Sequence, residues 1–298
     1  MLVVVNFHYV QEAGKYAYPG IHPVTPSELK GQLDELARNF EFISGCDLLT
    51  AINRHTDLPN LACLITFDDG LRDHYDNAVP ILEASGIPAV FFVSSAPVVE
   101  RRALTVHKTQ WLRATRSPET FWDITLQTAE KLEIPVDWES VTDEAATSHY
   151  RYDDLPNSRV KLLLNHKITH DDHRRIIDEI FRHESDEADF CTDYYMNGQQ
   201  IAEVSRAYTI GSHGHAHLRL ARLASKESTD ELMCSKNALE RICGRAVEIV
   251  SYPYGDIEAV SRRVAVEAQD AGYVAGITLE RSANQSLDDP MLLARLDT

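Results

Sequence analysis

Leu64-Ile65-Thr66-Phe67-Asp68-Asp69-Gly70 is an apolar, β-rich run that ends in two adjacent carboxylates and a glycine able to turn sharply. Strand and helix patterns alternate on both sides of it. Upstream, residues 2–7 read as a strand, and Thr25-Pro26-Ser27-Glu28 reads as a capping box opening a helix with Leu29, Leu33, Leu36 and Phe40 at helical spacing. Residues 40–44 and 61–67 are the next strands, and a helix over about 73–85 stops at Gly86 before a strand at 88–93. From about 100 to 200 the alternation lapses into a charged, mostly helical stretch holding all three tryptophans, Trp111, Trp122 and Trp138, with helix cores at 160–164 and 176–181. Alternation resumes with strands at 208–211, 247–251, 273–278 and 292–296. Between them, one helix runs from about 228 to Gly244 and another from an Asp256 N-cap to 271. Seven or eight strands alternating with helices predict a parallel sheet, open or closed into a barrel. The expectation is a single domain over 1–298 with a mostly helical insertion at about 100–200.

Composition narrows the function. The chain has 298 residues, and Lys+Arg 29 against Asp+Glu 46 gives a formal net charge of -17. A nucleic-acid binder needs a basic surface, and anionic membranes repel this balance too. The apolar start, MLVVV, is broken at Asn6 with no basic residues before it, so neither a signal peptide nor a membrane span is expected. Cys46, Cys63, Cys191, Cys234 and Cys243 are odd in number with no CxxC, so neither a disulfide framework nor a zinc knuckle follows. The expected protein is cytoplasmic.

Four segments carry candidate chemistry. In a parallel α/β fold, active sites sit at the C-terminal ends of strands. Asp68 and Asp69 stand at such an end and repel each other, a repulsion that a cation relieves; the competing reading is a solvated turn. His213-Gly214-His215-Ala216-His217 follows another short strand. In a helical or turned backbone His213 and His217 share one side, whereas in an extended one all three imidazoles share a face. Tyr252-Pro253-Tyr254-Gly255 follows a third strand, and its Pro and Gly constrain the backbone so that an amide N–H can face a ligand; a plain βα loop with packing tyrosines competes. His8 ends the first strand, as a lone histidine of the kind that is usually structural. His22, His74, His107, His166, His170, His173 and His183 are given no role.

Taken together these segments resemble the polysaccharide deacetylase family, also called the NodB-homology or carbohydrate esterase family 4. Thr66-Phe67-Asp68-Asp69-Gly70 matches its first motif residue for residue. His213 to His217 is similar to its H-(S/T)-x-x-H motif, with Gly214 in place of Ser/Thr. Ser251-Tyr252-Pro253-Tyr254 is similar to its Arg-x-Pro-Tyr loop, with Ser251 in place of Arg. The resemblance covers about 1–100 and 200–298 and implies an irregular (β/α) barrel of about seven strands. It also implies one divalent metal, zinc as a rule, held by Asp69, His213 and His217, with Asp68 as general base. Pro253 and Tyr254 would bind substrate, the Tyr254 N–H facing the oxyanion.

The expected reaction is metal-dependent hydrolysis of an N-acetyl group on an amino sugar, probed best on a nucleotide-linked, lipid-linked or oligosaccharide substrate of cell-surface polysaccharide assembly. The loss of the third-motif Arg, which in the family orients the base, keeps open a catalytically silent sugar-binding relative; N-formyl hydrolysis is a further alternative. The family usually supplies a general acid from a Leu-x-x-His motif on its last strand. Leu292-Leu293-Ala294-Arg295-Leu296 has no histidine, and none follows His217. In a closed barrel the first strand lies beside the last, so His8 is expected to be the acid, as in similar deacetylases with an early His-Tyr segment.

Overall fold

Side chains of the first strand, β1 (Leu2–Phe7), alternate between two apolar clusters: Val3, Val5 and Phe7 join one, Leu2 and Val4 the other. That is the period of two expected of a strand covered on both faces. The computed structural model describes residues 1–298. The other strands are β2 (Glu41–Phe42), β3 (Ala62–Phe67), β4 (Ala89–Val93), β5 (Thr209–Ser212), β6 (Ile249–Ser251), β7 (Ala275–Ile277) and β8 (Leu296–Asp297). They form one parallel sheet in the order β7-β6-β5-β4-β3-β1-β8, with β2 beside β3. Leu293 makes a parallel bridge to Ile277 of β7 just before the chain enters β8 beside β1, so the seam of the curled sheet is spanned by residues 293–297. This is the irregular (β/α) barrel.

The sheet's two faces differ in kind. On the helix side, Phe7, Phe67 and Phe91 sit in register on β1, β3 and β4 and stack with ring centroids 5.4 and 5.0 Å apart. On the interior side, Leu2, Val4 and Leu64 fill the start of β1 and β3, and Val90 and Phe92 line β4 beside them. One strand step further on, the same alternation delivers Asn6 and Thr66, both fully buried. Gly211 is required by this packing, since a Cβ there would lie 2.4 Å from the Phe92 ring. Along β1 and β3 the interior thus runs from apolar to polar toward the C-terminal rim.

Several elements differ from the sequence expectation. The 73–85 helix opens with a π turn over His74–Ala78, in which Val79 N–H donates to the His74 carbonyl. Pro80 has no N–H to continue an ordinary α ladder, which favours the wider turn. Asp256 does not cap the next helix. Its carboxylate accepts from the Glu258 and Ala259 N–H groups and closes a separate turn, and the helix Arg262–Asp270 starts from a Ser261 cap. Ile257 is 93% exposed, so no apolar burial supports a helix there. The last strand is β8 rather than 292–296, because Leu293 is taken by the bridge to β7.

The chain divides into two compact units, one of Met1–Ala13, Pro23–Arg102 and Cys191–Thr298, the other of Gly14–His22 and Ala103–Phe190. The first holds the sheet. The second is helical, built on Thr105–Thr115, Pro118–Lys131, Leu155–Leu162 and His170–Phe181, with Leu112, Phe121 and Ile176 fully buried. Its buried Lys108 is neutralised by Asp178 at 2.7 Å and Glu187 at 2.5 Å. No helix is long and apolar enough to cross a membrane.

Candidate active site

Parallel strands bring their C-terminal ends to one rim, so residues far apart in sequence meet there. β3 delivers Asp68 and Asp69, β5 delivers His213, and Asp69 Oδ1 lies 3.4 Å from both His213 Nε2 and His217 Nε2. One ligand atom from each of these three buried residues falls within 4.8 Å of the others. The donor set fits a divalent metal: two imidazole nitrogens and a carboxylate oxygen leave a coordination position open. The tautomer fits too. His213 Nδ1–H donates to the Ser251 carbonyl at 2.7 Å, which leaves Nε2 with its lone pair toward Asp69.

Of the sequence pictures of the histidines, the turned backbone is the one the structure has, and the extended one with all three imidazoles on a face is not. The segment is neither helical nor extended; Gly214 has φ +70 and His217 φ +58, and this turn brings the His213 and His217 rings to 4.9 Å. His215 points elsewhere. Its Nε2–H donates to Glu100 at 2.9 Å and its Nδ1 accepts from Ser95 Oγ at 2.8 Å, so neither nitrogen faces the cluster. Backbone strain concentrates at this rim. Of six non-glycine residues with positive φ, three are Asp69, His217 and Tyr254. Such conformations cost about 1–3 kcal/mol each and persist where the surroundings enforce them. Gly70, at φ +71, completes the turn after the two aspartates, and any Cβ there would meet Val93 at 2.8 Å.

The arginine absent from position 251 has a counterpart elsewhere. Arg295, fully buried, reaches in from the seam and donates to both oxygens of Asp68, at 2.8 and 2.7 Å. Its Nη2 also donates to Ser251 Oγ at 2.9 Å and its Nη1 to Asn6 Oδ1 at 3.0 Å. Ser251 Oγ lies 3.3 Å from Asp68 Oδ2, so Ser251 stands where both members of the pair can use it. Burial alone would raise the Asp68 carboxyl, but Arg295, with His213 and His8, overrides it and holds the group at about 2.

β8 also serves the first strand. Asp297 pairs in register with Asn6, accepts from Asn6 Nδ2 at 3.0 Å, and lies 3.3 Å from His8 Nδ1. Burial alone would lower His8, but Asp297, Asp69 and Asp68 outweigh it and raise the imidazole to about 9. The His8 carbonyl accepts from His74 Nε2 at 2.6 Å. His74 is itself fully buried against Phe67, and burial keeps it neutral, at about 4.

Tyr254 closes the rim. Its ring packs edge-on to His217 at 4.8 Å, with the Arg219 guanidinium over it at 4.1 Å. Its N–H has no acceptor among the backbone hydrogen bonds, and the preceding Pro253 is buried. Sequence reasoning missed Arg295 and Asp297. One signal was available, namely a lone charge inside the apolar run Leu292-Leu293-Ala294-Arg295-Leu296, which cannot be buried unpaired.

The model of the family described as polysaccharide deacetylase matches residues 56–276. No curated protein sequence matches the chain. Among solved structures, the fold is similar to the Streptococcus pyogenes deacetylase PplD in complex with acetate, at 14% identity and TM-score 0.61, covering 100% of this chain and 92% of that one. IcaB from Ammonifex degensii is similar at 17% identity and TM-score 0.61, covering 100% and 91%. A de-N-acetylase from Aggregatibacter actinomycetemcomitans is similar at 17% identity and TM-score 0.58, covering 99% and 94%.

Proposed function

Because the chain belongs to the polysaccharide deacetylase family, we propose that it removes N-acetyl groups from an amino sugar of a cell-surface polysaccharide or its precursor, with one divalent metal, zinc by preference. The observation that carries this reading is the buried triplet of Asp69, His213 and His217 beside a carboxylate clamped by Arg295. Asp69, His213 and His217 would hold the metal. When bound, such an ion polarises a carbonyl and makes water a nucleophile near neutral pH. The names of two similar structures, a de-N-acetylase and a deacetylase holding acetate, agree with an acetyl group.

The chain's own residues divide the proton work. Asp68 takes the proton of the attacking water. A carboxylate held at about 2 stays ionised at any working pH but is a weak base, so Arg295 contributes orientation more than basicity. The Tyr254 N–H is available to the carbonyl oxygen as charge develops on it. His8, raised to about 9, carries its proton at neutral pH and gives it to the sugar nitrogen as the C–N bond breaks. Products are acetate and a free amine. The silent-relative reading was motivated by the missing arginine at 251, and Arg295 beside Asp68 removes that motive.

The test is product release. Zinc-loaded protein is incubated with N-acetylated oligosaccharides and with nucleotide- and lipid-linked acetylated sugars, and acetate and formate are both assayed. Acetate release that disappears in Asp68→Asn supports the reading. Formate release from N-formyl sugars alone favours the deformylase, and no release from any substrate sinks the assignment of activity.

A further inference from the structure

Every backbone polar group from His213 to the N–H of Ala216 has a protein partner. His213 N–H donates to Val93 O at 2.9 Å, and its carbonyl accepts from Ser94 Oγ at 2.9 Å. Gly214 N–H reaches Ser212 Oγ at 3.3 Å, and its carbonyl accepts from Ser95 N–H at 3.3 Å. The His215 carbonyl accepts from Ala96 N–H at 3.0 Å. The two remaining donors, the His215 and Ala216 N–H groups, converge on one oxygen, Glu231 Oε2, at 3.1 and 2.8 Å. Glu231 comes from the long helix Ser225–Cys243, so the loop is tied to a rigid element. On the far side, the His215 ring is pinned between Ser95 and Glu100.

We propose that Glu231 is a positioning residue of the metal-ligating loop, holding His213 and His217 in their converged arrangement before a cation arrives. Gly214 has no side chain to order the turn, and a left-handed turn containing φ +70 and φ +58 does not hold its shape unaided. One oxygen that accepts from both N–H groups across the turn supplies the missing restraint. His213 and His217 lie on either side of the two residues it grips, so releasing the grip lets the imidazoles separate. A cation would then have to reassemble the site at the expense of affinity. Partners of this kind typically matter at about the 10–100-fold level in metal affinity. The role requires an oxygen at the right reach, not a charge: a carboxamide oxygen at the same distance accepts both N–H bonds, and a carboxylate one methylene shorter does not reach.

The inference rests on His213 and His217 being ligands, and the experiment separates the two. Chelator-stripped protein is titrated with Zn²⁺ against a chromophoric competitor, with circular dichroism as the check of fold, for wild type, Glu231→Ala, Glu231→Asp, Glu231→Gln and His217→Ala. Expected are a loss of about 10–100-fold for Ala and Asp, near-wild-type affinity for Gln, and abolished tight binding for His217→Ala. If Ala does not fold, the Asp and Gln variants decide. Unchanged affinity in Ala or Asp, or a loss in Gln as large as in Asp, overturns the role of Glu231. Wild-type affinity in His217→Ala instead overturns the ligand assignment beneath it.

Discussion

Replacing Arg295 by methionine keeps much of the side-chain volume and deletes the guanidinium. Both partners of the Arg295–Asp68 pair are at most 2% exposed, so solvent screens the pair little. The variant loses two charge-assisted hydrogen bonds to Asp68 and those to Ser251 and Asn6. Removing one member of a buried ion pair costs about 3–5 kcal/mol, mainly because the other charge stays buried and unpaired. The pH dependence carries the sharper test. In the native protein the Asp68 carboxyl is depressed to about 2, below its unfolded value of about 3.9. Its contribution to stability is therefore present above about pH 4 and is lost as pH falls toward 2. In Arg295→Met burial acts with much less opposition, and the carboxyl rises and binds a proton on folding. The penalty is then greatest at neutral pH and is relieved on acidification. Urea unfolding of metal-free wild type and variant at pH 7 and pH 4.5 should show a gap of about 3–5 kcal/mol that narrows at the lower pH. Arg295→Lys should recover part of it, since a point charge lacks the fork that spans both carboxylate oxygens. In turnover, kcat should fall on the order of 10²-fold with little change in KM, as expected for a misplaced base. A gap under about 1 kcal/mol at pH 7, or one indifferent to pH, would refute the claim that Arg295 holds Asp68.

Asp69→Ala, His213→Ala and His217→Ala should each abolish tight metal binding by elemental analysis after dialysis, because a three-ligand site has none to spare. His215→Ala should retain bound metal, since both ring nitrogens face Ser95 and Glu100 rather than the cluster. Asp68→Asn should keep its metal and lose roughly 10²–10⁴-fold in kcat, as measured by acetate release. The acid must be protonated to act, so activity of the metal-loaded enzyme should fall on the alkaline side, at or below the metal-free His8 value of about 9. Asp297→Asn removes a charge facing His8 while Asp68, Asp69 and neutral His74 remain, so the alkaline limb of kcat/KM should move to lower pH. A bound cation at Asp69 moves it the same way, and an unshifted limb in Asp297→Asn would remove His8 from the mechanism.

What the sequence determined on its own was whatever depends on neighbours along the chain. The strands at 2–7 and 61–67, the Thr25–Glu28 capping box and the helix stop at Gly86 are local patterns, and the structure has them within a residue or two. Asp68-Asp69-Gly70 and His213 to His217 were legible for the same reason: each is a short run at a strand end. The choice among the three histidines stayed open in the residue pattern alone, and only the family resemblance pointed to His213 and His217. The choice depends on a turn with two positive-φ residues, on the Ser251 carbonyl that sets the His213 tautomer, and on Ser95 and Glu100 drawing His215 away. Nor did sequence show that the arginine missing at 251 would return at 295. In sequence Arg295 and Asp68 are 227 residues apart; they meet because the sheet curls until residues 293–297 span from β7 to β1. A buried carboxylate needs a cation within hydrogen-bonding reach, and any element that closes the barrel can supply it. Which one does so is settled by strand order and register, which are properties of the closed sheet and of no segment within it.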